Sequence, residues 1–572
     1  MTTKSNLAPR PWNSPTTGRT QTDFVLLALL FGSVGAISWA IRGTSGWNGI
    51  DGTVVPGMAW GVLWYWAARR RGIDVRGVTL WLGLGIAIGG ELGYGQYVSW
   101  TRGDFYAGGR VLAVSPATGF LWFALVGVAW GALGGIALGW VLNSGVSLHQ
   151  WLVRLLAPIG VAMLGRMLIQ AEPAWFFPLY GAGLYAAQPD ARLADAGFLL
   201  SPTFMWELWL VGAALVSAVW TFTRKTLRCP RLDHGLCVLS VAYTAFAIVW
   251  IGHWLFFPQG NLGLIGGELD DHLSRTVYTN SQNALVVAWW LGALTVAVWQ
   301  GDRSTLIMGL LIGGGFGIGM PLSAIWCLGY TVAPQYIDWW KIWEMNAGFN
   351  LGILYVVALY LAMRQPDKFK CSADLGTATI TACGRALASA AGVLLVWIYL
   401  YAEDGLSAGI FLGPVYAVVA CWFCWRNRHQ HSGVVLHEQQ QRLTLMFCVF
   451  YLLFILLHGA TNRLGVFLKL YDEAAVEQYA WPAARLWLFV FLATPLLAAT
   501  FRTLWLLART EQTREIPLEQ VTRHIAGLVM LVGLVGALTI WPSKIGVIYA
   551  ALLLIAVTAL IQLDHRTPRD CT

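Results

Sequence analysis

Charge is scarce in this chain. Asp, Glu, Lys and Arg make up 12% of its 572 residues, against about 25% in soluble globular domains. Hydrophobic residues make up 57%, and the mean hydropathy of +0.60 excludes a water-soluble globule. Acidic residues are the scarcer sign, 29 against 37 basic, for a net charge of +8. The basic excess does not read as a nucleic-acid footprint. Its cations sit in short clusters between apolar runs, which is how membrane orientation is encoded, and no basic stripe interleaved with aromatics is present.

Nine cysteines are scattered, mostly in apolar runs, and imply no disulfide framework. The run CWFC (Cys421 to Cys424), followed by His429 and His431, holds metal-ligand residue types without a closed tetrahedral set. Small buried hydrophobes are the simpler reading, so no metal and no cofactor is expected. Walker A, GxSxG, HExxH and the dinucleotide fingerprint are all missing. No stretch between apolar runs could form a nucleotide-binding domain, which reads against ATP-driven transport by this chain alone. A cleavable signal is not expected: residues 1–23 are polar, with Lys4, Arg10 and Arg19, and the apolar run that follows lacks a small-residue cleavage site.

What is present in quantity is long apolar runs. A stretch of about 18 or more apolar residues crosses a hydrocarbon core of about 30 Å, and about sixteen such spans are expected. The fold class is therefore all-α, a polytopic integral membrane protein. Its expected units are a cytoplasmic tail 1–23, a four-helix repeat 24–142, a helix pair 151–223, a second four-helix repeat 237–363, a helix pair 386–425, a C-terminal four-helix unit 443–563 and a tail 564–572. Basic clusters at Arg69–Arg71 with Arg76, Arg224–Arg231, Arg364–Lys370, Arg426–Arg428 and Arg509–Arg523 all follow even-numbered spans. That alternation predicts both termini in the cytoplasm and a cell-membrane protein, of the inner membrane if the source is bacterial.

Glycine is the second abundance, 63 residues. IGGELGYGQ (Ile88 to Gln96) returns as IGGGFGIGM (Ile312 to Met320), with Gly89, Gly90, Gly93 and Gly95 on Gly313, Gly314, Gly317 and Gly319. The following helices match as well: WFALVGVAWG (Trp122 to Gly131) and WEMNAGFNLG (Trp343 to Gly352) share a Trp and two glycines at one spacing. Helices 1–4 thus resemble helices 7–10, a parallel internal repeat. Glycines four apart on one helical face predict close helix packing, because in lipid small residues let backbones approach. Glycine also permits a helix break or thins a wall beside a solute path.

Charged residues within a span cost about 2.5–3.5 kcal/mol each and invite a functional question. Glu91 is the most informative. It interrupts the glycine stretch with Tyr94 and Gln96 following, where the second copy has Gly315, Ile318 and Met320. It reads either as a coupling or ligand-contacting carboxylate or as the structural partner of Arg42 or Arg102. Arg42, at the end of the first span, precedes flexible Gly/Ser/Thr backbone and Asp51. Arg275 and Arg463 hold loosely comparable places later, and three such arginines would make an anion-attracting mouth. Arg166, His253 and Glu344 complete the candidate substrate contacts. Lys341 and Glu344, three apart in WWKIWEMN, read as an ion pair, with Glu344 pointing inward as the alternative. The cluster Glu268, Asp270, Asp271 and His272 reads as a solvated acidic loop, with a divalent-cation site or an acid–base pair as alternatives.

These residues predict a secondary transporter, or permease, for a small polar solute of anionic or sugar-like character. Its polar vestibule opens to the extracytoplasmic side, and a proton or cation supplies the coupling. Its partners are that solute and the lipid bilayer, with no nucleic acid. The alternative is a polytopic enzyme that transfers a glycosyl or acyl group at the extracytoplasmic face from a lipid-linked donor.

Overall fold

The structure is a computed structural model that describes residues 17–41, 50–69, 77–91, 94–107, 110–142, 302–364, 409–426, 483–509 and 543–566, short pieces within 73–75, 283–298, 386–394 and 439–450, and Gly527. The described chain is almost wholly helical. In order it forms α1 (Thr17–Ile41), α2 (Ile50–Arg69), α3 (Val78–Glu91), α4 (Gly95–Trp100), a hairpin of β1 (Asp104–Ala107) and β2 (Arg110–Ala113), then α5 (Pro116–Leu142). After an undescribed stretch come α6 (Arg303–Val332), α7 (Trp339–Arg364), α8 (Gly409–Arg426), α9 (Ala483–Arg509) and α10 (Ser543–Arg566). Among the described residues five helices are long and apolar enough to cross a bilayer: Gln21–Ala40, Pro116–Leu142, Arg303–Val332, Trp339–Arg364 and Lys544–His565. The chain is a helical, membrane-embedded protein at that level of description.

Neighbouring helices pack antiparallel, and glycine sets how closely. On α5, Gly127, Gly131, Gly135 and Gly139 recur every four residues. A Cβ at these positions would overlap the carbonyls of Phe316, Ile312 and Met308 and the backbone of Thr305 on α6. Gly35 of α1 and Gly348 of α7 face each other's carbonyls, and Gly352 faces that of Phe31. Gly89 of α3 lies against the Trp130 backbone of α5. The close packing expected of Gly89, Gly127, Gly131, Gly348 and Gly352 is what these helices do. Large side chains fill the spaces between, and Trp39, Trp60, Trp64, Trp122, Trp130 and Trp343 are fully buried.

A single span is expected over the apolar run 78–100, and the structure departs from it: α3 ends at Glu91, Tyr94 sits outside helical geometry at φ −155°, ψ −10°, and α4 restarts at Gly95. Glycine stabilises a helix about 1 kcal/mol less than alanine does, so a run bearing Gly89, Gly90, Gly93 and Gly95 leaves the helix cheaply. The second glycine stretch stays helical, with Gly313 and Gly314 in a π turn at Leu310–Gly314 and Gly315, Gly317 and Gly319 in the α-helical turns that follow. A short hairpin joins α4 to α5 within this otherwise helical fold. Phe105 pairs with Leu112 and Ala107 with Arg110.

Candidate functional site

The first turn of α7 is fixed by its preceding loop. Asp338 Oδ1 accepts from the backbone N–H of Trp340 (3.1 Å) and of Lys341 (3.4 Å) and from the Tyr330 hydroxyl (3.1 Å). These bonds satisfy donors that a helix start leaves without intrahelical partners. From that anchor, residues three and four apart share a face, which aligns Trp340, Lys341 and Glu344.

Glu344 is the centre of the site. Its Oε2 accepts from Lys341 Nζ at 2.7 Å, and its Oε1 accepts from Trp340 Nε1 at 3.0 Å and from the Tyr94 hydroxyl at 2.9 Å. Lys341 Nζ also donates to the Ala40 carbonyl at 3.3 Å. Ala40 lies near the end of α1, where the helix dipole favours a cation. Glu344 is 1% exposed and Lys341 8%. A buried ion pair is tolerable only with good geometry and further hydrogen bonds on the remaining lone pairs, and this pair has both.

Aromatic rings enclose it. The Tyr94 ring lies 5.0 Å from Trp130, 5.0 Å from Trp343 and 5.7 Å from Trp340, centroid to centroid. Trp340 meets Trp343 edge to face at 5.4 Å, and Phe123 backs Trp343 at 5.3 Å. The break at Tyr94, the first turn of α7 and the end of α1 therefore converge on one charge pair. Trp343 is fully buried, and its indole N–H finds no acceptor among the described residues.

Of the residues singled out from sequence, Tyr94 and Glu344 are brought into direct contact. Lys341 and Glu344 form the expected i,i+3 pair, and the carboxylate is buried as well. Gln96 is not part of the cluster. Its buried amide neighbours the Tyr97 hydroxyl, without a hydrogen bond of good geometry at either amide atom among the described residues. Glu91 closes α3 and Asp51 lies in the first turn of α2, but their side chains lie outside the described residues, as do Arg42, Arg166, His253, Arg275 and Arg463 entirely. The acidic cluster at Glu268, Asp270, Asp271 and His272 lies outside them too. Sequence reasoning missed Trp340 and Trp343 as site residues. The signal was the spacing in WWKIWE, which sets two indoles and a lysine within one turn of the glutamate.

Tyr94→Phe tests the geometry with little disturbance of the cage. It keeps the ring contacts and removes one donor to a charged acceptor, an interaction of about 1.5–3 kcal/mol. The variant is expected to unfold more easily by that amount in chemical denaturation. Wild-type stability would mean that the hydroxyl and Glu344 are not bonded.

No family model, curated protein or solved structure matches this chain.

Proposed function

We propose that the chain is a secondary transporter for a small polar solute, with the solute site at the Tyr94 break and the Lys341–Glu344 pair. The observation that carries this is a glycine-rich helix interrupted where its tyrosine reaches a buried carboxylate. Broken helices with polar groups at the interruption are how transporters present sites inside an apolar bundle.

The same proposal includes about sixteen spans, a parallel repeat, cytoplasmic termini and a site open to the outside of the cell membrane. Helix directions support it. Gly127 to Gly139 of α5 meet Phe316 to Thr305 of α6 in reverse order, which calls for an even number of crossings between them, as the four expected there provide. Tyr549 of α10 donates to the Ile37 carbonyl at 3.0 Å, and Lys544 donates to that of Tyr336 at 2.6 Å. So α10 starts at the site end and runs away from it, as α7 does. The basic residues Arg69, Arg303 and Arg364 lie at the opposite end, with the start of α1. A cytoplasmic identity for that end obeys the positive-inside rule. Proton or cation coupling through Glu344 completes the reading.

The experiment is uptake into proteoliposomes of labelled amino acids, sugars and organic anions under an imposed proton or sodium gradient. Gradient-dependent accumulation of one class, lost in Glu344→Gln that still elutes as a folded species, is expected. Wild-type uptake by that variant would remove Glu344 from the mechanism, and no accumulation of any class would remove transport.

A further inference from the structure

We infer that the solute is a zwitterion of the α-amino-acid class, its carboxylate held by Lys341 and its ammonium by Glu344. The inference rests on the transporter reading and narrows it. Within the cage one ammonium and one carboxylate meet 2.7 Å apart. An anion there would share Lys341 with Glu344 and leave excess negative charge in an apolar enclosure. A cation would do the converse, and an uncompensated buried charge costs several kcal/mol. A neutral polyol would have to separate the pair and offer only hydroxyls in exchange. A zwitterion inserted with opposed polarity gives each protein charge a new opposite partner and leaves the net charge at zero.

The surroundings fit the two ends of such a molecule. The rings of Tyr94 and Trp340, whose polar tips already meet Glu344, supply π faces for an ammonium. The Ala40 carbonyl, now 3.3 Å from Lys341 Nζ, is a further acceptor. Trp343 Nε1, buried without an acceptor among the described residues, is a donor available to a carboxylate. Two further described ionisable residues flank the site, Asp338 at the start of α7 and Arg102 over the Tyr330 ring at 5.6 Å, and they are also one of each sign. Tyr94 and Trp340 are themselves only partly buried, so they are the groups a solute would displace to reach the pair.

The test uses the purified full chain in nanodiscs. Glycine, L-leucine and L-tryptophan are compared by thermal shift and calorimetry with glucose, succinate and choline. The methyl ester and N-acetyl derivative of any amino acid that binds are then run alongside it. Expected is binding by at least one free amino acid and at least about a hundredfold weakening in each single-charge derivative. The double variant Lys341→Met/Glu344→Gln, which leaves no lone buried charge, should melt close to wild type and show the same weakening. Equal binding of the ester or the N-acetyl derivative overturns the zwitterion, as does binding by glucose, succinate or choline alone. Uptake of sugar or succinate without amino-acid binding would leave transport standing and end this inference. Amino-acid binding that depends on the pair, without uptake of anything, would end the transport reading and leave the site.

Discussion

Lys341→Met is expected to destabilise the folded chain by about 3–5 kcal/mol, and adding Glu344→Gln to recover most of that loss. The asymmetry follows from burial. With Lys341 gone, a carboxylate that is 1% exposed keeps only the Tyr94 hydroxyl and the Trp340 indole, too little to replace lost hydration. With both charges gone, methionine fills the volume of the lysine stem. A glutamine at 344 can still accept from Tyr94 and Trp340 through its amide oxygen. A denaturant titration of the three proteins in one detergent reads both effects. A loss below about 1 kcal/mol in Lys341→Met would be the value of an exposed pair and would mean that water reaches Glu344. A double variant as unstable as the single one would show that methionine cannot pack beside Ala40.

That pair also marks where the sequence could be read and where it could not. Membrane embedding follows from composition alone, and the close-packed glycine faces follow from a four-residue period on helices that carry little else polar. The i,i+3 contact of Lys341 with Glu344 is local, so spacing predicts it. The contact of Tyr94 with Glu344 spans 250 positions, and no local pattern encodes it. The helix break was illegible for a related reason. Both glycine stretches have nearly the same intrinsic weakness, yet one breaks and the other forms a π turn. Their partners decide the outcome: Tyr94 turns inward to a carboxylate, whereas its counterpart Ile318 is exposed and apolar. Glu91 stands out in the sequence by interrupting the glycine stretch, and Glu344 stands out in the structure by the three donors around it.

The second large effect is expected at the α1–α7 contact, in Gly348→Val. A Cβ on Gly348 would overlap the Gly35 carbonyl, and one on Gly35 would overlap that of Gly348. Overpacking usually costs about 1–3 kcal/mol because side chains rotate aside. Here backbone faces backbone, so the helices themselves must part, and the cost is expected at about 3 kcal/mol or more. Parting them also moves Ala40 from Lys341, since those residues belong to the same two helices, so loss of solute binding should accompany loss of folded yield. Gly314→Ala is the matched control. It lies in the second glycine stretch, yet no atom lies within 4 Å of its added Cβ. It should leave yield unchanged or raise stability by up to about 1 kcal/mol through helix propensity. Size-exclusion yield and melting temperature of both variants decide between two roles for glycine. If Gly348→Val folds as well as Gly314→Ala, the close approach of α1 to α7 is not what those glycines are for. If only Gly348→Val fails, close approach of backbones is what holds the charge pair against α1.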